Sequence, residues 1–353
     1  MKNADTTRAL PLGFAKAAGR LAAAAVLYMV LLWYFFQPTP SGLPRAQYLI
    51  GFNWIVGAMG CFVLSRRWIA AFAGSFFAGA VYGFGPFALG FAAYHASAGA
   101  PLAMVPWLFC PAAFWRKWWP ATSQRLARIS RLTPGIVTAV LCALPFAGII
   151  TFFWLTSRPW FGPVFPLPVG LRLDAAHLEG LVLPLTMRPH DFIFSFYHVP
   201  VAALVMGLCI YFASGRMGAM IVVVGAIALA FAGPVAQVSP VVWAVIPMLF
   251  GAIVIGLGME GLAWAGPSDG RWLLFCAAAT AIITAGCTYL GFTEGAIYHR
   301  TALLHAGGLL SVGVIYALTR AHLRLHPLRW MLLSAALALD ILTSGKQIAD
   351  MLL

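Results

Sequence analysis

The feature that most restricts this chain is a succession of long apolar runs with almost no charge inside them. Candidate runs cover 21–37, 46–64, 68–94, 101–115, 134–156, 193–213, 217–233, 240–265, 271–291, 301–319 and 329–350. A helix needs roughly 17 to 25 such residues to cross the hydrocarbon core of a bilayer. Inside that core each backbone N–H and C=O must find its partner within the protein, so runs of this kind fold as helices. The expected fold class is all-α: a polytopic integral membrane bundle of about eleven transmembrane helices, with roughly ten to twelve allowed because 101–115 is short and holds Pro101, Pro106 and Pro111. Residues 1–353 read as a single transmembrane domain, and 157–192 as a long loop whose middle, LRLDAAHLEGLVLPL, is expected to lie at the interface as a short helix.

Composition agrees. Of 353 residues, 62% are apolar and only 9% are charged, against about 25% in a soluble domain. The polar residues are too few to cover a water-facing surface. The net charge of +13 comes from Lys and Arg in the gaps between apolar runs, without the basic blocks of a nucleic-acid binder, so the bilayer is the expected partner and nucleic acid is not. With the N-terminus in the cytoplasm, sixteen of the 22 Lys and Arg fall on the inner side. That asymmetry is what the positive-inside rule requires of eleven spans. The basic start and the run that follows, without a small-residue cleavage site, read as an uncleaved first helix. The expected home is a cell membrane of the bacterial inner, cytoplasmic type. The six cysteines are scattered singly and read as small buried hydrophobes.

Several classes of function are set aside by missing motifs. There is no Walker A loop, no HExxH and no GxSxG. His322 and His326 make one HxxxH, a spacing that places both on one helix face, but one such box beside arginines is a poor metal site.

The ionisable residues are unevenly placed. His95, His177, His190, His198 and His299 fall at the outer side, and His305 enters a helix from there. Asp174, Glu179, Asp191, Glu294, Asp340 and Asp350 lie outward or along an outward-running helix. Imidazole and carboxylate together suit metals, haem iron and proton transfer. His198 and His305 lie inside apolar spans at similar shallow depth, where an ionisable group is costly and usually faces a partner inside the bundle. They are the candidate cofactor ligands, with His190 and Asp191 as a metal-binding or supporting pair. Asp340 lies eleven residues from Arg329, or roughly 16 Å along a helix, near the bilayer midplane, and is the candidate for a proton or ion pathway.

The run from His190 and Asp191 to His198 resembles one stretch of the haem-copper oxidase catalytic subunit. There a His-Asp pair stands at the outer mouth of a helix, and an axial haem ligand follows eight residues after that His. The resemblance implies a haem ligand at His198 and a polar region above it at His190 and Asp191. It covers about twenty residues, and Pro200 stands where the family has its second haem ligand. The family's adjacent His-His pair and its His-x-x-x-Tyr are missing. Three readings follow. One is a haem- or metal-binding subunit of a membrane electron-transfer system. Another is a secondary transporter or channel using Asp340. The third is a non-catalytic scaffold or assembly subunit that sits among other membrane subunits.

Overall fold

The computed structural model describes residues 9–35, 46–94, 99–118, 124–125, 133–160, 172–186, 194–215, 218–323 and 325–352. Among them the chain is helical, without strands. The helices are α1 (Ala9–Phe35), α2 (Ala46–Ser65), α3 (Phe72–Gly83), α4 (Pro86–Tyr94), α5 (Gly99–Trp118), α6 (Thr133–Cys142) and α7 (Leu144–Thr156), followed by α8 (Val201–Ala213), α9 (Gly218–Phe231), α10 (Val245–Trp264), α11 (Gly270–Thr293), α12 (Ala296–Arg320) and α13 (His326–Leu352).

Seven stretches among the described residues are long and apolar enough to cross a membrane: Lys16–Phe35, Phe72–Phe91, Pro134–Thr156, Pro240–Trp264, Pro267–Thr293, Ala296–Arg320 and His326–Asp350. Each falls on one of the eleven expected runs. Three more of those runs form shorter apolar helices, Leu49–Ser65, Val201–Ala213 and Gly218–Phe231. The remaining run, 101–115, lies within the unbroken helix α5, which carries Pro106 and Pro111 inside it. The large apolar side chains left on the outside of the bundle, such as Phe292 at 78%, Ile221 at 77% and Leu303 at 73% exposure, belong against lipid. A water-facing surface would not carry them in such number. This is the construction of a helical membrane protein.

Helix α10 runs through the middle. Its apolar residues are buried on nearly every side, as expected of a helix surrounded by other helices. It packs on α8 and on α3, while α2 fills the space between α3 and α5. Helices α11 and α12 form a hairpin, and α13 closes the bundle against α4, α10 and α12. Small residues set the closest approaches, since association in lipid relies on close packing. A Cβ on Gly258 would meet the backbone carbonyl of Ala203, and one on Gly207 that of Val254, so α8 and α10 touch backbone to backbone. On the other side of the bundle, a Cβ on Gly83 would come within 2.5 Å of the Trp54 carbonyl.

The segment expected to hold an interfacial helix forms two tight 3₁₀ turns in its described part, Ala175–Leu181 and Pro184–Thr186. Its Leu173, Leu183 and Leu185 are buried in the protein. The Leu173 N–H donates to the Ala230 carbonyl at 2.9 Å, tying the segment to α9. The six cysteines are free thiols, and Cys61, Cys110, Cys276 and Cys287 are buried.

Candidate functional site

Pro200 begins the site. A proline disfavours the helical region for the residue before it and has no N–H of its own, so helices start at or after it. Accordingly α8 starts at Val201, and residues 194–197 are irregular, leading into a turn at 198–200. His198 therefore stands just ahead of a helix, where the apolar run 193–213 had implied a place within one. The Val199 N–H is left without an intrahelical acceptor, and a buried unpaired N–H is costly. It donates to Oδ2 of Asp340 at 2.7 Å.

Asp340 is about halfway along α13 and has no exposed surface. Its other oxygen, Oδ1, accepts from Ser344 Oγ at 2.6 Å and lies 3.1 Å from His198 Nδ1. Ser344 follows Asp340 by four residues, so the helix itself places the hydroxyl beside the carboxylate. His305, from α12, stacks edge to face on His198 with 5.2 Å between ring centroids. Its Nε2 meets the Val182 carbonyl at 3.1 Å. Four polar side chains from three parts of the chain thus meet in one buried cluster.

The partners fix the protons. A carbonyl only accepts, so His305 Nε2 carries a hydrogen toward Val182. The Val199 and Ser344 groups both donate to Asp340, a set that suits a carboxylate, and His198 then donates from Nδ1. In the neutral rings this leaves two bare lone pairs, on His198 Nε2 and His305 Nδ1. Both atoms are buried and without a hydrogen-bond partner among the described residues. The pair thus presents two unpartnered ring nitrogens close to the Asp340 side chain.

The surroundings are broken helix on two sides. Helices α3 and α4 are interrupted between Gly83 and Pro86, and the Phe84 carbonyl freed there accepts the Tyr197 hydroxyl. Gly345 makes this fit possible, since a Cβ there would lie 2.7 Å from the Tyr197 oxygen. On a third side the Pro184–Thr186 turn packs on α12 and α13. The cavity beside Val199, Pro200 and Gly308 measures about 20 Å³, about one water molecule.

Of the residues singled out from sequence, His198, His305 and Asp340 come together here. Ser344 belongs with them, and its spacing from Asp340 was the available signal. His190 and Asp191 lie outside the described residues. His177 caps its own 3₁₀ turn, accepting the Asp174 N–H at 3.0 Å, and His299 packs on Phe292. The HxxxH pair does not share a helix face. His322 sits in the turn after α12, while His326 opens α13, meets the Ala263 carbonyl at 3.2 Å and packs on Trp264.

Haem fits this cluster poorly. Two axial imidazoles stand on opposite faces of a porphyrin, whereas these rings touch edge to face with 5.2 Å between their centroids. Among the described residues no group of three or more His, Cys, Asp or Glu side chains is arranged to hold a metal ion. Comparison with protein-family models, curated proteins and solved structures finds no match.

Proposed function

We propose that this protein is a secondary transporter of a bacterial-type inner membrane, and that its His198, Asp340, Ser344 and His305 cluster is a proton-binding site. The observation that carries this reading is the Asp340 carboxylate, fully buried in a span and bonded at 2.7 Å to the backbone N–H of an unwound segment. Interrupted helices near the midplane with a charged group at the break are where transporters hold coupling ions. A carboxylate at that depth costs several kcal/mol unless paired, and here each oxygen has a donor. Protonation of the imidazole pair changes which nitrogens donate and which accept. That change loosens or tightens the unwound 194–200 segment against α13 and so couples proton occupancy to helix position. The crossing count belongs to the same proposal: about eleven spans with the N-terminus inside, α2, α5, α8 and α9 joining the seven long ones.

The test is a flux measurement in proteoliposomes loaded with a pH-sensitive dye. An imposed gradient of a transported solute moves protons in the wild type, and Asp340→Asn abolishes that movement while the protein stays monodisperse. Equal proton movement in both proteins contradicts the proposal. An absorption spectrum and metal analysis of the same preparation separate it from the haem or metal reading, for which a Soret band or a bound metal lost in His198→Ala is required.

A further inference from the structure

A second site lies at the end of the bundle where α1 and α13 finish and α12 begins. Tyr34, Arg300, Thr343, Lys346, Gln347 and Asp350 line an open groove of about 430 Å³. Lys346 pairs with Asp350 at 2.8 Å. Arg300 forms no ion pair among the described residues, so the lining carries one uncompensated positive charge. Oε1 of Gln347 is buried beneath this wall and has no hydrogen-bond partner among the described residues. The exposed Arg300 guanidinium, without a carboxylate partner among the described residues, suits a ligand with an oxyanion.

The groove also connects to the buried cluster through helix geometry. Asp340, Ser344 and Gln347 follow one another at four and three residues along α13, which places them on one face. That face runs from the proton site to the wall of the groove. We infer that this groove binds an oxyanion, a phosphate or carboxylate group, with Arg300 on the anion and the Lys346–Asp350 pair beside it. The inference rests on the transporter reading and names its substrate class.

The oxyanion has two possible sources, a soluble solute or a phospholipid headgroup, and two arms tell them apart. In the first, the thermal unfolding of the purified full-length protein is followed against inorganic phosphate, with chloride at matched ionic strength as control. In the second, native mass spectrometry follows retention of phosphatidylglycerol against phosphatidylcholine. The expected result is stabilisation by phosphate, or selective retention of phosphatidylglycerol, with Arg300→Gln roughly tenfold weaker in that arm. Arg300 is exposed, so its replacement leaves the fold intact, and Lys346→Gln is the second variant. Asp340→Asn keeps the anion response, because Asp340 does not line the groove. Absence of both responses in the wild type, or responses unchanged in both variants, overturns the inference. Loss of proton movement in Asp340→Asn with no anion binding leaves the proton site standing and removes this inference alone.

Discussion

Nδ1 of His198 and Oδ1 of Asp340 stand 3.1 Å apart although 142 residues of chain separate them. The contact joins the unwound entry to α8 with the middle of the last helix, and both side chains are withdrawn from solvent completely. A buried pair of this kind is more informative about function than about stability, since its desolvation offsets much of its attraction.

The two halves of that pair respond differently to substitution. Asp340→Leu leaves the Val199 N–H, the Ser344 hydroxyl and His198 without an acceptor, and is expected to cost about 3 to 5 kcal/mol. Asp340→Asn keeps the shape and an acceptor oxygen, and is expected to cost roughly 1 to 2 kcal/mol. Scanning fluorimetry of the two variants in detergent checks this order; equal destabilisation contradicts the hydrogen-bond assignment.

The proton positions are open to a direct reading. With ¹⁵N-labelled histidine, neutral His198 is expected as the Nδ1–H tautomer and His305 as Nε2–H, because Asp340 and the Val182 carbonyl act as acceptors. Solid-state NMR in lipid resolves the two forms by nitrogen shift, with His198→Ala and His305→Ala giving the assignments. The opposite tautomers remove the two open lone pairs on which the proton site depends.

Much of this fold was legible in the residues, and the reasons are specific. Apolar length marked the spans, and Pro200 held the signal for a late helix start, because Val199 cannot easily be helical before it. Low charge made His198, His305 and Asp340 conspicuous. Their meeting was not legible, since one sequence gives depths along helices but not which helices touch. The Val182 carbonyl was invisible for another reason: its segment reads as an amphipathic helix by pattern, while burial of Leu183 and Leu185 turns it inward. Pro106 and Pro111 left the crossing count open between ten and twelve, and α5 holds both within one helix.

Close backbone packing yields a third expectation. Gly258→Val places a side chain against the Ala203 carbonyl and is expected to destabilise by about 3 kcal/mol or more, since backbone cannot yield as a side chain does. Gly313→Ala, with open space around its Cβ position, is expected to change little. Yield of monodisperse protein after size exclusion distinguishes them.

Arg329, the first residue of the last expected run, is 2% exposed. Its guanidinium donates to the Ala265 carbonyl at 2.6 Å and the Leu323 carbonyl at 3.1 Å. It thereby closes the C-terminal end of α10, where the helix dipole favours a cation. Arg329→Gln is expected to cost about 1 to 2 kcal/mol, read as a lowered unfolding temperature, whereas Arg320→Gln, on the exposed end of α12, leaves it unchanged.

The measurement closest to the central proposal is infrared difference spectroscopy of the lipid-embedded protein across a pH titration. A proton site at this cluster requires carboxylate and imidazole bands that change with pH in the wild type, shift in Ser344→Ala and vanish in Asp340→Asn. Difference spectra that are identical in the wild type and Asp340→Asn would mean that Asp340 takes no part in proton exchange, and the transporter proposal would fall with it.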